Sequence, residues 1–146
     1  MATKKRYVQV GVGGRARFFY ESLATTYSDT SEIVAFCDTN HIRLEYAKKI
    51  LEEDYGYHKV NIYGADEFEK MIEIEKPDCV IVTSIDRTHH KYIIRAMELG
   101  CDVISEKPMT VDNVKCQEIL DAVKKTGRHL RVSFNYRYAP HNSIVN

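Results

Sequence analysis

The sequence predicts an α/β domain built on a doubly wound parallel sheet. Two observations carry that prediction. Strand-like apolar runs alternate with helical periodicities along the chain, which means parallel strands joined by right-handed crossovers. The first apolar run also passes straight into a glycine-rich turn, Gly11-Val12-Gly13-Gly14-Arg15-Ala16, and Asp38 follows the second run. That arrangement is the fingerprint of a dinucleotide-binding βαβ unit of Rossmann type.

Taken in order, residues 7–12 read as the first strand and residues 15–27 as a helix with Phe18, Phe19, Leu23 and Tyr27 in one apolar stripe. Residues 32–37 form a buried strand. Residues 41–54 are helical, with Ile42, Tyr46, Ile50 and Leu51 spaced for one face and Gly56 as the stop. A short strand over 60–63 precedes Asp66-Glu67-Phe68-Glu69, which resembles a capping box opening a helix that ends before Pro77. Strand 79–83, helix 88–99 stopping at Gly100, and strand 102–105 follow. A helix over 110–125, capped by Thr110 and stopped near Gly127, leads to a last strand at 129–134. In such sheets ligands sit beyond the carboxyl ends of the strands, where the strand order reverses. Chemistry is therefore expected in the loops at 11–16, 38–40, 84–90, 106–108 and 135–138.

Each residue type of the glycine turn has a mechanical reason. Gly11 permits the tight exit from the strand, Gly13 lets a diphosphate approach the backbone, and Ala16 lets the helix pack on the strand. The helix start offers N–H groups to phosphate oxygens. Gly14 completes the turn, and Arg15 and Arg17 flank it as cations that could pair with a phosphate. Asp38 is placed to accept hydrogen bonds from ribose hydroxyls, which favours NAD; Asn40 and Arg43 nearby leave NADP as the second choice.

Composition narrows the class. The 146 residues suffice for one domain with a core, and 44% are apolar. Lys+Arg and Asp+Glu both number 21, so nothing points to a nucleic-acid partner. No apolar run reaches membrane-spanning length, and the basic start leaves no room for a signal peptide, so a cytoplasmic location is expected. None of the four cysteines, Cys37, Cys79, Cys101 and Cys116, stands in C-x-x-C spacing; structural thiols and no metal site are expected. His89 and His90 are adjacent on a helix and point about 100° apart, so His89 is expected to face the cleft and His90 the helix flank.

Two further loops go beyond generic nucleotide binding. One runs Val80-Ile81-Val82-Thr83-Ser84-Ile85-Asp86-Arg87-Thr88-His89, and the other is Val103-Ile104-Ser105-Glu106-Lys107-Pro108. Together with the closing Asn135-Tyr136-Arg137-Tyr138, they resemble the N-terminal domain of the glucose–fructose oxidoreductase, inositol dehydrogenase and MocA family over nearly the whole chain. The resemblance implies that Gly11, Gly13, Gly14, Arg15 and Ala16 hold the diphosphate and Asp38 the adenosine ribose. It places Ser84 and Ile85 along the cofactor, where many members carry Thr-Pro, so the loop path at Ile85 is an open point. His89 is implied to lie close to the cofactor, Glu106 on the nicotinamide side, Lys107 at the reacting centre as the catalytic residue, and Pro108 as a cis-proline candidate.

The implied activity is nicotinamide-dependent hydride transfer to or from a sugar, inositol or related polyol. The implied layout is a Rossmann domain over 1–134 and, at 135–146, the start of a junction to a second α/β domain that this chain lacks. The chain alone is then expected to bind cofactor without turnover, and its uncovered face to favour weak homo-oligomerisation. Two alternatives stand beside this: a non-catalytic NAD(P)-binding sensor or interaction domain, and a methyltransferase, which would have no need of Glu106-Lys107-Pro108.

Overall fold

The computed structural model describes residues 3–134, which fold into one parallel six-stranded sheet between two layers of helices. In chain order the elements are β1 (Lys5–Val10), α1 (Arg17–Ala24), β2 (Ser31–Asp38), α2 (His41–Tyr55), β3 (Asn61–Gly64), α3 (Phe68–Glu75), β4 (Cys79–Val82), α4 (His89–Glu98), β5 (Asp102–Glu106), α5 (Asn113–Thr126) and β6 (Leu130–Ser133). The sheet order is β3-β2-β1-β4-β5-β6. Every neighbouring pair is parallel, so the doubly wound prediction holds and the order reverses between β1 and β4.

Each face of the sheet has its own core. On one side Leu23 of α1 and Leu44, Ala47 and Leu51 of α2 pack on Ile33, Phe36 and Ile81. On the other, Met71 of α3, Ile93 and Met97 of α4 and Ile119 of α5 pack on Val8, Val80 and Val103. Strand β2 contributes to both and carries a bulge. Tyr7 pairs with Ile33 but Val8 with Ala35, so Val34 is an extra residue and the in–out alternation shifts there. At the amino ends of the strands, the buried Glu75 carboxylate accepts from Asn61 Nδ2 (2.8 Å) and the Tyr63 hydroxyl (2.7 Å), while the Arg6 guanidinium donates to the Glu75 carbonyl.

Four local predictions need correction. The helix predicted over 15–27 begins as a 3-10 turn (Gly14–Ala16) and ends at Ala24. Its end is rich in hydroxyls that bond preceding carbonyls, Thr25 to Glu21 and Ser28 to Thr25, and these compete with helical continuation. The apolar stripes are right only in part: Leu23 and Leu51 are buried and Phe19 and Ile50 pack against the core, whereas Phe18, Tyr27, Ile42 and Tyr46 are exposed and Tyr20, Leu44 and Ala47 are buried. The cap of α5 is Asp112, whose carboxylate accepts from the Lys115 N–H at 2.9 Å, and not Thr110. The box predicted before α3 does not form on Asp66 and Glu69: Glu69 accepts from Arg95, and it is the Glu67 carboxylate that accepts from the Gly64 N–H.

Cys37, Cys79 and Cys101 are buried and Cys116 is partly exposed, all as free thiols. Burial pushes Cys37 and Cys79 up to about 12 and Cys101 up to about 11. A thiol reagent at about pH 8 is therefore expected to titrate one thiol, Cys116, in the folded chain and all four in denaturant. Two or more fast-reacting thiols in the folded chain would contradict this burial. Among the described residues no helix is long and apolar enough to cross a membrane, and no three His, Cys, Asp or Glu side chains gather as a metal-donor set.

Candidate functional site

A cleft of ≈ 480 Å³ opens at the carboxyl ends of the strands, at the point where β1 and β4 part. That volume falls in the range of small-molecule pockets, about 300–1,000 Å³. Its walls include Gly11, Gly13, Gly14, Arg15, Asp38 and Ser84.

The floor is set by Gly11. It leaves β1 with φ +84°, and its N–H donates to the Cys37 carbonyl at 2.8 Å. A Cβ built there would lie 2.4 Å from both Cα and N of Ser84, so only glycine fits. Gly13 and Gly14 differ: a Cβ on either meets no protein atom within 4 Å, and both line the cleft. Ala16 is fully buried, as the close packing of helix on strand requires.

Gln9 is a site residue that the motifs of the sequence do not single out. It is fully buried in β1, and its Nε2 donates to the Ala16 carbonyl (3.2 Å) and the Thr83 hydroxyl (2.9 Å). The Thr83 hydroxyl in turn donates to the Gly11 carbonyl at 2.6 Å. The glycine turn is thereby tied to the end of β4. A polar side chain in the middle of the apolar run Tyr7-Val8-Gln9-Val10 is the available signal.

Asp38 closes β2 and is 7% exposed. One carboxylate oxygen accepts from the Val12 N–H and the other from the Asn40 N–H, each at 2.8 Å. The oxygen bonded to Asn40 also accepts from the Thr39 hydroxyl at 3.4 Å, and the oxygen bonded to Val12 retains a further lone pair. Asn40 also caps α2, accepting from the Arg43 N–H at 3.2 Å, and Arg43 lines the cleft. Arg17 is directed elsewhere, to Glu21, Asp54 and the Tyr55 hydroxyl; hydrogen bonding to Tyr55 and then Glu21 raises its already high pKa.

A smaller hollow adjoins the cleft and shares Arg15, Thr83 and Ser84 with it; Asp86, His89, Glu106, Lys107 and Pro108 complete its wall. Arg15 Nε donates to the buried Glu106 carboxylate at 2.7 Å, joining the glycine turn to the end of β5. The other Glu106 oxygen accepts from the Lys107 N–H at 3.0 Å. Lys107 is exposed, and its bond to Pro108 is cis, as the resemblance implied. Ile85 adopts φ −67° and ψ 137°, a φ that proline also takes. The Ser84 hydroxyl pairs with that of Thr88 at 2.9 Å.

His89 is 1% exposed at the start of α4, with one ring nitrogen on the Pro108 carbonyl (2.8 Å) and the other on the Ser84 carbonyl (2.9 Å). His90 is partly buried on the flank. The segment Asn135–Tyr138 singled out in the sequence, and the whole junction at 135–146, lie outside the described residues.

The profile of an oxidoreductase family with an NAD-binding Rossmann fold matches residues 5–134. The chain is 34% identical over 134 residues to the D-glucoside 3-dehydrogenase of Escherichia coli, covering 92% of this chain and 36% of that protein. It is 29% identical over 132 residues to the inositol 2-dehydrogenase/D-chiro-inositol 3-dehydrogenase of Lactiplantibacillus plantarum, covering 90% of this chain and 35% of that protein. Among solved structures, the WlbA dehydrogenase of Chromobacterium violaceum in complex with NADH and UDP-GlcNAcA superposes with a TM-score of 0.81 at 26% identity, covering 99% of this chain and 39% of that one. The chain thus spans about a third of the length of the curated relatives it matches. The glycine turn, Asp38 and the sheet order agree with that match, and the chain belongs to the glucose–fructose oxidoreductase, inositol dehydrogenase and MocA family as its NAD-binding Rossmann domain.

Proposed function

We propose that this domain is the cofactor half of an enzyme that moves hydride to or from a carbinol carbon of a sugar, inositol or related polyol. The observation that carries the proposal is the Arg15–Glu106 contact, which brings the Lys107 turn to the rim of the cleft lined by the glycine turn. The residues present fit a dinucleotide: open space stands over Gly13 and Gly14, and a fixed carboxylate stands at the end of β2. When bound, NAD supplies the hydride acceptor or donor.

The chain's own residues supply binding and proton handling. Gly13, Gly14 and Arg15 hold the diphosphate, with N–H groups at the helix entrance as donors, while Gly11 and Ala16, whose N–H groups bond the Cys37 and Gly13 carbonyls, set the shape of the turn. Asp38 accepts from the adenosine ribose hydroxyls, with the lone pair that Val12 leaves over and in place of the long Thr39 contact, and its fixed negative charge disfavours a 2′-phosphate. Ser84 and Ile85 form the wall beside it. Glu106 and Pro108 shape the nicotinamide side. The Lys107 Nζ holds or donates the proton at the substrate oxygen. Substrate contacts come from the portion of the relatives' length that this chain does not span, and the names of the two dehydrogenase relatives support a polyhydroxylated ring as substrate.

Titration with NADH, followed by nicotinamide fluorescence, is expected to saturate below about 1 mM. Lys107→Ala is expected to keep that affinity within about threefold while lowering turnover of the full-length protein by about 100-fold or more. Loss of NADH binding with the substitution would make Lys107 a binding residue. Absence of binding by the unaltered chain would overturn the proposal.

A further inference from the structure

We propose that His89 is a positioning residue, a brace between two backbone carbonyls that fixes the turn bearing Lys107 relative to the β4 loop. The inference rests on the proposed role of Lys107 and concerns what holds it in place. His89 lies at the first residue of α4, where its ring is closed off from solvent. One ring nitrogen meets the Ser84 carbonyl and the other the Pro108 carbonyl, 2.9 and 2.8 Å away. Ser84 belongs to the wall shared by the cleft and the smaller hollow, and Pro108 follows Lys107 directly. Both ring nitrogens are therefore engaged with the protein backbone. A neutral imidazole donates to one of these oxygens and an imidazolium to both. Only the doubly protonated ring donates to both carbonyls and links the two loops; a neutral ring sets one nitrogen lone pair against a carbonyl oxygen.

The opposite side of the turn has its own support. Arg15 holds the Glu106 carboxylate, and that carboxylate accepts from the Lys107 N–H. Lys107 thus projects from a backbone fastened before and after it, while its own side chain is exposed. A ring that merely filled space would need no polar atoms here. Buried polar atoms cost free energy unless paired, and both of these face carbonyl oxygens at hydrogen-bonding distance.

The test is hydrogen exchange on the chain, read over residues 84–88 and 106–111, with the β1 and β4 segments as internal reference. His89→Phe keeps a ring and removes both contacts. His89→Gln keeps a donor and restores one of them. His89→Phe is expected to accelerate exchange at both loops by about tenfold, and His89→Gln by an intermediate factor, with the reference strands within about twofold. The unaltered chain is expected to show slowly exchanging N–H resonances from both ring nitrogens of His89. Unchanged exchange at the two loops, acceleration spread evenly over all strands, or absence of either ring N–H resonance would each overturn the brace. NADH titration of the unaltered chain separates the two ideas: its failure removes the cofactor assignment, while the exchange data still decide what His89 does.

Discussion

Gly11→Ala is expected to destabilise the domain by about 3 kcal/mol or more, the sum of a positive-φ penalty and overpacking. The added methyl would meet the Cα and N of Ser84 at 2.4 Å and the carbonyl carbon of Thr83 at 2.7 Å. All three are backbone atoms, so no rotamer change relieves the contact. The backbone at φ +84° would also have to carry a Cβ. For a domain of this size the loss corresponds to a fall in Tm of roughly 10 °C. Gly13→Ala is the matched control. Gly13 has φ −70° and open space above it, so stability is expected to stay within about 0.5 kcal/mol while NADH affinity falls. Denaturant unfolding of both variants, with NADH titration alongside, checks the pair. A Gly11→Ala protein within about 1 kcal/mol of the parent would show that the β1 and β4 loops yield more readily than their contacts indicate.

Asp38→Ala is expected to act on stability and on affinity together. It strips the Val12 and Asn40 N–H groups of their acceptor. Hydrogen bonds to a charged group contribute about 1.5–3 kcal/mol each, and partial access of water offsets some of that, so a net loss of about 2–4 kcal/mol is expected. NADH should bind at least about tenfold more weakly, because the ribose loses its charged acceptor. NADPH should lose less, since the charge that repels a 2′-phosphate is gone as well. Parallel titrations with the two nucleotides read the ratio directly. An unchanged ratio would count against Asp38 as the determinant of cofactor choice.

The fold is legible because it is written in periodicity. The strands and helices stand in the order that the alternating patterns predict, and the glycine turn with Asp38 points to the carboxyl-end cleft. Phase is harder. Ile42 and Tyr46 lie four residues apart and look like a core face with Ile50 and Leu51, yet only the latter two reach the core, and Leu44 and Ala47 take the places of the first two. Spacing alone does not say which of two overlapping stripes a helix turns inward when both carry apolar residues. Caps are similar: Thr110 and Asp112 are both good N-cap residues, and only the backbone path decides between them.

Site residues divide along the same line. Gly11, Asp38 and the Glu106-Lys107-Pro108 turn carry motif signals in short stretches of sequence. The contacts of Gln9 with Thr83, of Arg15 with Glu106 and of His89 with Pro108 join positions far apart in the chain. Such pairings depend on which strands become neighbours, and local patterns do not encode that.

The backbone collision that excludes any side chain at Gly11 has a consequence for how a guest is received. Where β1 and β4 diverge, main chain rests directly on main chain, leaving no compressible layer beneath the groove. Whatever enters finds an unyielding bed and is fitted by the long side chains of Arg43 and Lys107 along the margin, with Arg15 held by Glu106.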